Sequence, residues 1–181
     1  MTVRDARRED AATIARIRVD TWRAAYAGLI RQDVLDQLDP AREARRRMTR
    51  WDEMHADPRG RELIAERDGT PVGWAALGPS HDADLPRDGQ VYAIYAVASE
   101  WSRGIGHALM LTAEERLRAA GFRRAHLWVL QGNDRAAGFY ERHGWREDGA
   151  VLADERTFGT IACTLHERRR VRDLWEDLSA R

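Results

Sequence analysis

The chain has 181 residues, 43% hydrophobic and 33% charged, and its 30 basic and 30 acidic side chains cancel to a net charge of zero. That length suits one well-buried core and is short for two. The neutral balance excludes the basic field that would hold nucleic acid or an anionic membrane, and no apolar run approaches the roughly 20 residues needed to cross a bilayer.

In chain order, Thr2–Asp5 reads as a short strand. From Glu9 to about Ala27, Ile14, Ile17, Trp22 and Tyr26 fall at helical spacing, and Gly28 ends the run. Arg31–Leu38 and Ala41–His55 read as two more helices, broken by Asp39-Pro40. Glu62–Arg67 and Pro71–Leu77 form a hairpin about Asp68-Gly69. Pro79–Gly89, rich in Asp, Pro and Gly, reads as an exposed loop, and Val91–Val97 as a strong strand. Gly104–Ala120 is a helix closed by Gly121, Arg123–Leu130 a strand, and Arg135–Arg142 a short helix stopped at His143-Gly144. Trp145–Val151 and Phe158–Glu167 close the sheet, and Arg168–Leu178 reads as a surface helix in a C-terminal tail. With no repeat and no linker, these elements predict a single α/β (α+β) domain over residues 1–181.

All 30 basic side chains are arginine. The single cysteine, Cys163, cannot form an internal disulfide and reads as a packed core thiol, which suits a reducing cytoplasm. The charged stretch Met1–Asp10 has no apolar signal core. Arg45-Arg46-Arg47 and Arg168-Arg169-Arg170 read as solvated faces diluted by nearby acids, so nucleic acid is not expected as a partner. No His/Cys cluster has metal-ligand spacing, so no metal is expected. Leu174, Trp175 and Leu178 form an apolar stripe that docks either on the sheet or, in a homodimer, on a second subunit; the first is the simpler expectation.

The informative segment is Ser102-Arg103-Gly104-Ile105-Gly106-His107-Ala108, between a strand and an amphipathic helix. Two glycines let the backbone turn tightly, and the helix start adds unpaired N–H groups and the positive end of its dipole. Taken alone, the segment is either a pyrophosphate cradle or a strand-to-helix turn without a ligand. A dinucleotide fingerprint fits poorly, because its third glycine would fall at Leu109.

Ile94-Tyr95-Ala96, Arg103-Gly104-Ile105-Gly106, Leu127-Trp128-Val129, Gly132-Asn133 and Phe139-Tyr140-Glu141-Arg142-His143-Gly144-Trp145 occur in an order that resembles the GCN5-related N-acetyltransferase (GNAT) family. The resemblance is close over Val91–Trp145 and loose elsewhere. It implies a mixed central sheet, flanked by helices, whose fourth and fifth strands splay to admit acetyl-CoA. It implies that the backbone of Ile94, Tyr95 and Ala96 pairs with the pantetheine arm and that the amides of Ser102, Arg103, Gly104, Ile105, Gly106 and His107 hold the pyrophosphate. Asn133 matches a polar residue that touches the cofactor, and Tyr140 the general acid. By spacing alone Tyr140 is a core aromatic on a short amphipathic helix. One departure stands in the loop: Trp101 occupies a position usually held by Gln or Arg.

Acetyl transfer needs a neutral amine, a donor for the oxyanion and a proton for the departing sulfur. Tyr140 can supply the proton, and the resemblance implies that a bulge in the fourth strand frees an N–H for the oxyanion. A general base is missing where relatives place a glutamate, because those positions hold Gln90 and Trp128. Asp88 acting through water, Tyr92 and His126 are the remaining candidates, with Asp88 more simply a solvated loop residue and His126 a satisfied structural one. Trp22, Tyr26, Tyr92 and Trp128 fall on elements that can border the acceptor cleft, whereas Trp74 is expected in the core. Asp33, Asp36 and Asp82 read as surface charges. The expected function is acetyl-CoA-dependent N-acetylation of a small-molecule amine. The alternatives are acetylation of a peptide or protein N-terminus and a non-catalytic acetyl-CoA-binding sensor.

Overall fold

The computed structural model describes residues 1–175. Strands β1 (Thr2–Asp5), β2 (Arg61–Arg67), β3 (Thr70–Pro79), β4 (Gly89–Ala96), β5 (Arg124–Leu130), β6 (Arg146–Phe158) and β7 (Ile161–Asp173) form one sheet in the order β1-β2-β3-β4-β5-β7-β6. All neighbours are antiparallel except β4 and β5. Helices α1 (Ala11–Ala25), α2 (Gln32–Asp36) and α3 (Pro40–Met54) precede β2; α4 (Ile105–Ala119) links β4 to β5, and α5 (Asp134–Arg142) links β5 to β6.

Local chemistry explains most of these boundaries. Asp39 caps α3 by accepting from the Ala41 amide, and Pro40 sits where a helix needs no N–H. Asp68 and Gly69 both have positive φ, 52° and 75°, as a tight two-residue hairpin turn demands. β2 and β3 are buried on both faces, so their sequences run apolar without alternation: Leu63, Ala65, Ala75 and Leu77 pack toward α4, while Ile64, Trp74 and Ala76 meet Ile14 and Ile17 of α1.

The C-terminal third departs from expectation. β6 and β7 are each 13 residues long and form one extended hairpin turning after Phe158. The helix expected over Arg168–Leu178 is absent from the described part: Arg168–Asp173 continue β7, and positions 176–181, including Leu178, lie outside the described residues. Burial of the arginines explains the misreading. Arg169, Arg170 and Arg172 are each at most 7% exposed, held by carboxylates from distant segments. Arg47 of α3 is likewise buried, against Glu62, rather than solvated. Leu174 is buried against α4 and β5, its amide donating to the Arg123 carbonyl, whereas Trp175 is exposed.

Candidate active site

β4 and β5 pair only through Gly89 with Ala125 and Gln90 with His126; beyond that rung the strands diverge. Across β3, Ala76 pairs with Ala93 but Leu77 pairs with Val91, so Tyr92 is one residue extra. That bulge bends β4 at the split and interrupts its ladder.

α4 begins at the carboxyl side of β4. Ser102 and Gly104 have φ of 61° and 87°, left-handed conformations that curl the chain into a concavity. Among the described residues, the amides of Ser102, Gly104, Ile105, Gly106 and His107 have no backbone acceptor, and no side chain caps the helix. A set of unpaired amides at the positive end of a 15-residue helix is a ready anion site and fits a pyrophosphate. Trp101 flanks it: its indole Nε1 donates to the Ala96 carbonyl at 2.8 Å, and the Arg135 guanidinium lies 3.4 Å from its ring centre. The Ala96 carbonyl also accepts from Thr21 Oγ1 at 3.2 Å, so protein donors already occupy that oxygen. Asn133 caps α5, accepting from the Ala136 amide at 3.2 Å.

On the α1–α3 side of the sheet lies a cavity of about 870 Å³. All four tyrosines of the chain, Tyr26, Tyr92, Tyr95 and Tyr140, line it, together with Trp22, Ile94 and Trp128. The cradle residues and Asn133 stand outside this lining, at the starts of α4 and α5. Trp22 Nε1 donates to the Tyr95 hydroxyl at 2.9 Å, and Tyr26 packs edge-on against Trp22. Tyr140 is 8% exposed, and its hydroxyl has no partner among the described residues. Burial, reinforced by Tyr95, pushes its phenol well above the ordinary range, so at neutral pH Tyr140 is a proton donor only. Tyr92 donates to the Pro79 carbonyl, and burial pushes its phenol up to about 12, which removes it as a base.

The other candidate bases also change. Asp88 is buried and bonded to Arg124 Nε at 2.6 Å, so it is no solvated loop residue. Gln90 accepts from the His81 amide. His126 is fully buried, but its ring nitrogens lack well-formed hydrogen bonds; Nε2 lies 3.3 Å from Asp82, and burial lowers its pKa. Asp82 is a junction rather than a surface charge, accepting from Trp128 Nε1 at 3.0 Å and from Arg169 at 3.3 Å. With the Asp84–Arg169 pair at 2.7 Å, it ties the 80–88 loop down across β5 and β7. Asp33 and Asp36 remain exposed.

One cavity residue escaped the sequence reading. Glu167 of β7 lines the cavity, and burial holds its carboxyl above the usual range. A signal existed: Ile161, Cys163, Leu165 and Glu167 alternate inward while Ala162, Thr164, His166 and Arg168 are exposed, which puts a carboxylate on a buried face.

Comparison with known proteins gives a consistent result. The model of the Acetyltransferase (GNAT) family matches residues 22–145. YuaI, an uncharacterized N-acetyltransferase of Bacillus subtilis, is 31% identical over 133 residues, covering 74% of this chain and 73% of that protein. PaiA N-acetyltransferase from Thermoplasma acidophilum, solved with coenzyme A, shares the fold at a TM-score of 0.74 and 17% identity, over 95% of this chain and 98% of that one. YncA of Salmonella typhimurium, a putative acetyltransferase solved with acetyl-CoA, gives a TM-score of 0.69 at 17% identity, over 98% and 95% of the two chains. No helix among the described residues is long and apolar enough to cross a membrane. The split sheet, the amide cradle and these matches converge: the chain belongs to the GNAT family of N-acetyltransferases, with acetyl-CoA as its co-substrate.

Proposed function

We propose that this acetyltransferase acts on a primary amine of a small molecule in the cytoplasm, with the Ser102–His107 amides holding the pyrophosphate, Ile94–Ala96 bordering the pantetheine arm and Tyr140 protonating the leaving sulfur. The observation that carries the acceptor class is a compact aromatic cavity beside a tethered loop. Asp82 and Asp84 pin the 80–88 loop to Arg169, and a cavity of about 870 Å³ walled by Trp22, Tyr26, Tyr92 and Trp128 has the size and lining of a small-molecule pocket. An N-terminal peptide would need a groove open at both ends. The bulge at Tyr92 supports an oxyanion donor on β4. The lone Cys163 accords with a reducing compartment.

Calorimetric titration with acetyl-CoA, coenzyme A and NAD is the first test. The expected result is micromolar affinity for both coenzyme A forms and none for NAD, followed by thiol release when small amines are added. Binding without thiol release from any amine or peptide would favour the sensor reading. Turnover of N-terminal peptides alone would reverse the acceptor class.

A further inference from the structure

Five of the six carboxylates lining the cavity are neutralised. Glu53 meets Arg50 at 2.8 Å, Asp57 meets Arg59 at 2.8 Å, Asp82 meets Arg169 at 3.3 Å, Glu62 pairs with Arg47 and Asp154 with Arg156. Glu167 has no ion-pair or hydrogen-bond partner among the described residues. It sits on β7 opposite Leu130 of β5 and Leu152 of β6, so its immediate neighbours across the sheet are apolar. Tyr26, just past the end of α1, and Asp154 and Arg156 of β6 line the same cavity. Tyr95 of β4 and Tyr140 of α5 line it too, so these phenols and the carboxylate border one volume. An unpaired carboxylate among aromatic walls is costly unless a cation completes it.

We propose that Glu167 is a catalytic residue: it receives the acceptor's ammonium and takes one proton from it, which makes the acceptor a cationic primary amine. This rests on the acetyltransferase reading above. An alkylammonium with a pKa near 10.4 is neutral in only about one molecule in a thousand at pH 7.4, so a base must act on the bound cation. The Glu167 carboxylate accepts one N–H proton and becomes a carboxylic acid. The freed nitrogen lone pair forms a C–N bond to the thioester carbon while the carbonyl π pair moves onto oxygen. On collapse the C–S bond breaks, the sulfur takes the Tyr140 proton, and the nitrogen's surplus proton restores the phenol. Glu167 then releases its proton to water, so ammonium and thioester give amide, free thiol and one proton. Burial above the ordinary carboxylate range suits this role, because it narrows the gap between base and amine.

The test is Glu167→Gln beside Glu167→Asp, assayed by thiol release between pH 6 and 10, with acetyl-CoA affinity measured for each. The acceptor is whichever of benzylamine, agmatine and spermidine wild type uses best. The expected result for Gln is unchanged acetyl-CoA affinity and a kcat/KM about 10²-fold lower at pH 7. That deficit should shrink by about tenfold per pH unit as the neutral amine accumulates. Asp, which keeps the carboxylate, should retain the wild-type pH profile at a reduced rate. A Gln variant whose profile parallels wild type, or a wild type that binds acetyl-CoA yet uses none of the three cations, would overturn the proposal. Failure of wild type to bind acetyl-CoA would instead overturn the acetyltransferase reading.

Discussion

Tyr140→Phe should lower kcat about 10²-fold and leave acetyl-CoA affinity within about twofold. The substitution removes one oxygen and little else. The ring packs edge-on against Phe139, and the hydroxyl has no protein partner whose loss would disturb the fold. Because burial keeps the phenol protonated far above neutrality, its charge cannot hold substrate and its chemistry is confined to donating a hydrogen bond or a proton. The departing thiolate is a modest base, comparable to a cysteine near 8.5, so it can leave unprotonated at a cost. The expected loss therefore falls at the low end of the range for general acids. The raised phenol pKa also means that wild-type activity should show no alkaline limb from Tyr140 below pH 10. Steady-state thiol release with parallel titration of acetyl-CoA separates the outcomes. An unchanged kcat would leave Tyr140 as packing, and a parallel fall in affinity would make it a binding residue.

Features governed by local chemistry were legible in the sequence. The Asp68-Gly69 turn, the Asp39-Pro40 start of α3 and the tight Gly104–Gly106 entry to α4 each depend on residues within one turn of one another, so spacing alone reveals their geometry, whereas the pyrophosphate reading of the last came only with the family resemblance. Parts that depend on distant partners were not legible. Arg169, Arg170 and Arg172 resemble a solvated helix because nothing nearby shows that Asp82, Asp84, Glu114, Glu141, Glu147 and Asp148 fold against them. Asp88 looked solvated for the same reason, its partner Arg124 lying on another strand. The divergence of β4 from β5 has no local signature and came only through the family resemblance. Glu167 was not legible as a base because it lies on β7, away from β4, β5 and the loop before β4 that supplied the sequence candidates, although β7's alternation places it on an inward face.

Arg172→Met should be the most destabilising single change outside the apolar core, lowering stability by about 3–5 kcal/mol at neutral pH. Arg172 Nη1 meets Glu114 Oε1 at 2.5 Å and also donates to the His143 carbonyl, while the same carboxylate accepts from Trp145 Nε1 at 3.0 Å. Glu114 is fully buried, so removing the guanidinium leaves its charge only the longer Arg118 contact, at 3.5 Å, against a burial that already pushes it toward protonation. The sign of the pH dependence follows. With its folded-state pKa above the unfolded value of about 4.3, the native variant binds more protons than its unfolded chain, so stability falls as pH rises between those two values. The deficit of Arg172→Met should thus be largest at pH 7–8 and shrink toward pH 5. Glu114→Gln placed in the same chain should recover much of it, because the amide oxygen can still accept from Trp145. Thermal melts of the single and double variants at pH 5 and 8 check this, with a wild-type-to-variant gap on the order of 10 °C expected at pH 8. An equal gap at both pH values would show that lost packing, not the stranded charge, causes the loss. The junction also bears on catalysis, since it joins α4, whose start forms the amide cradle, to the end of α5, which carries Tyr140. A folded Arg172→Met protein at pH 6 should therefore bind acetyl-CoA more weakly than wild type even though residue 172 lines neither the cradle nor the cavity.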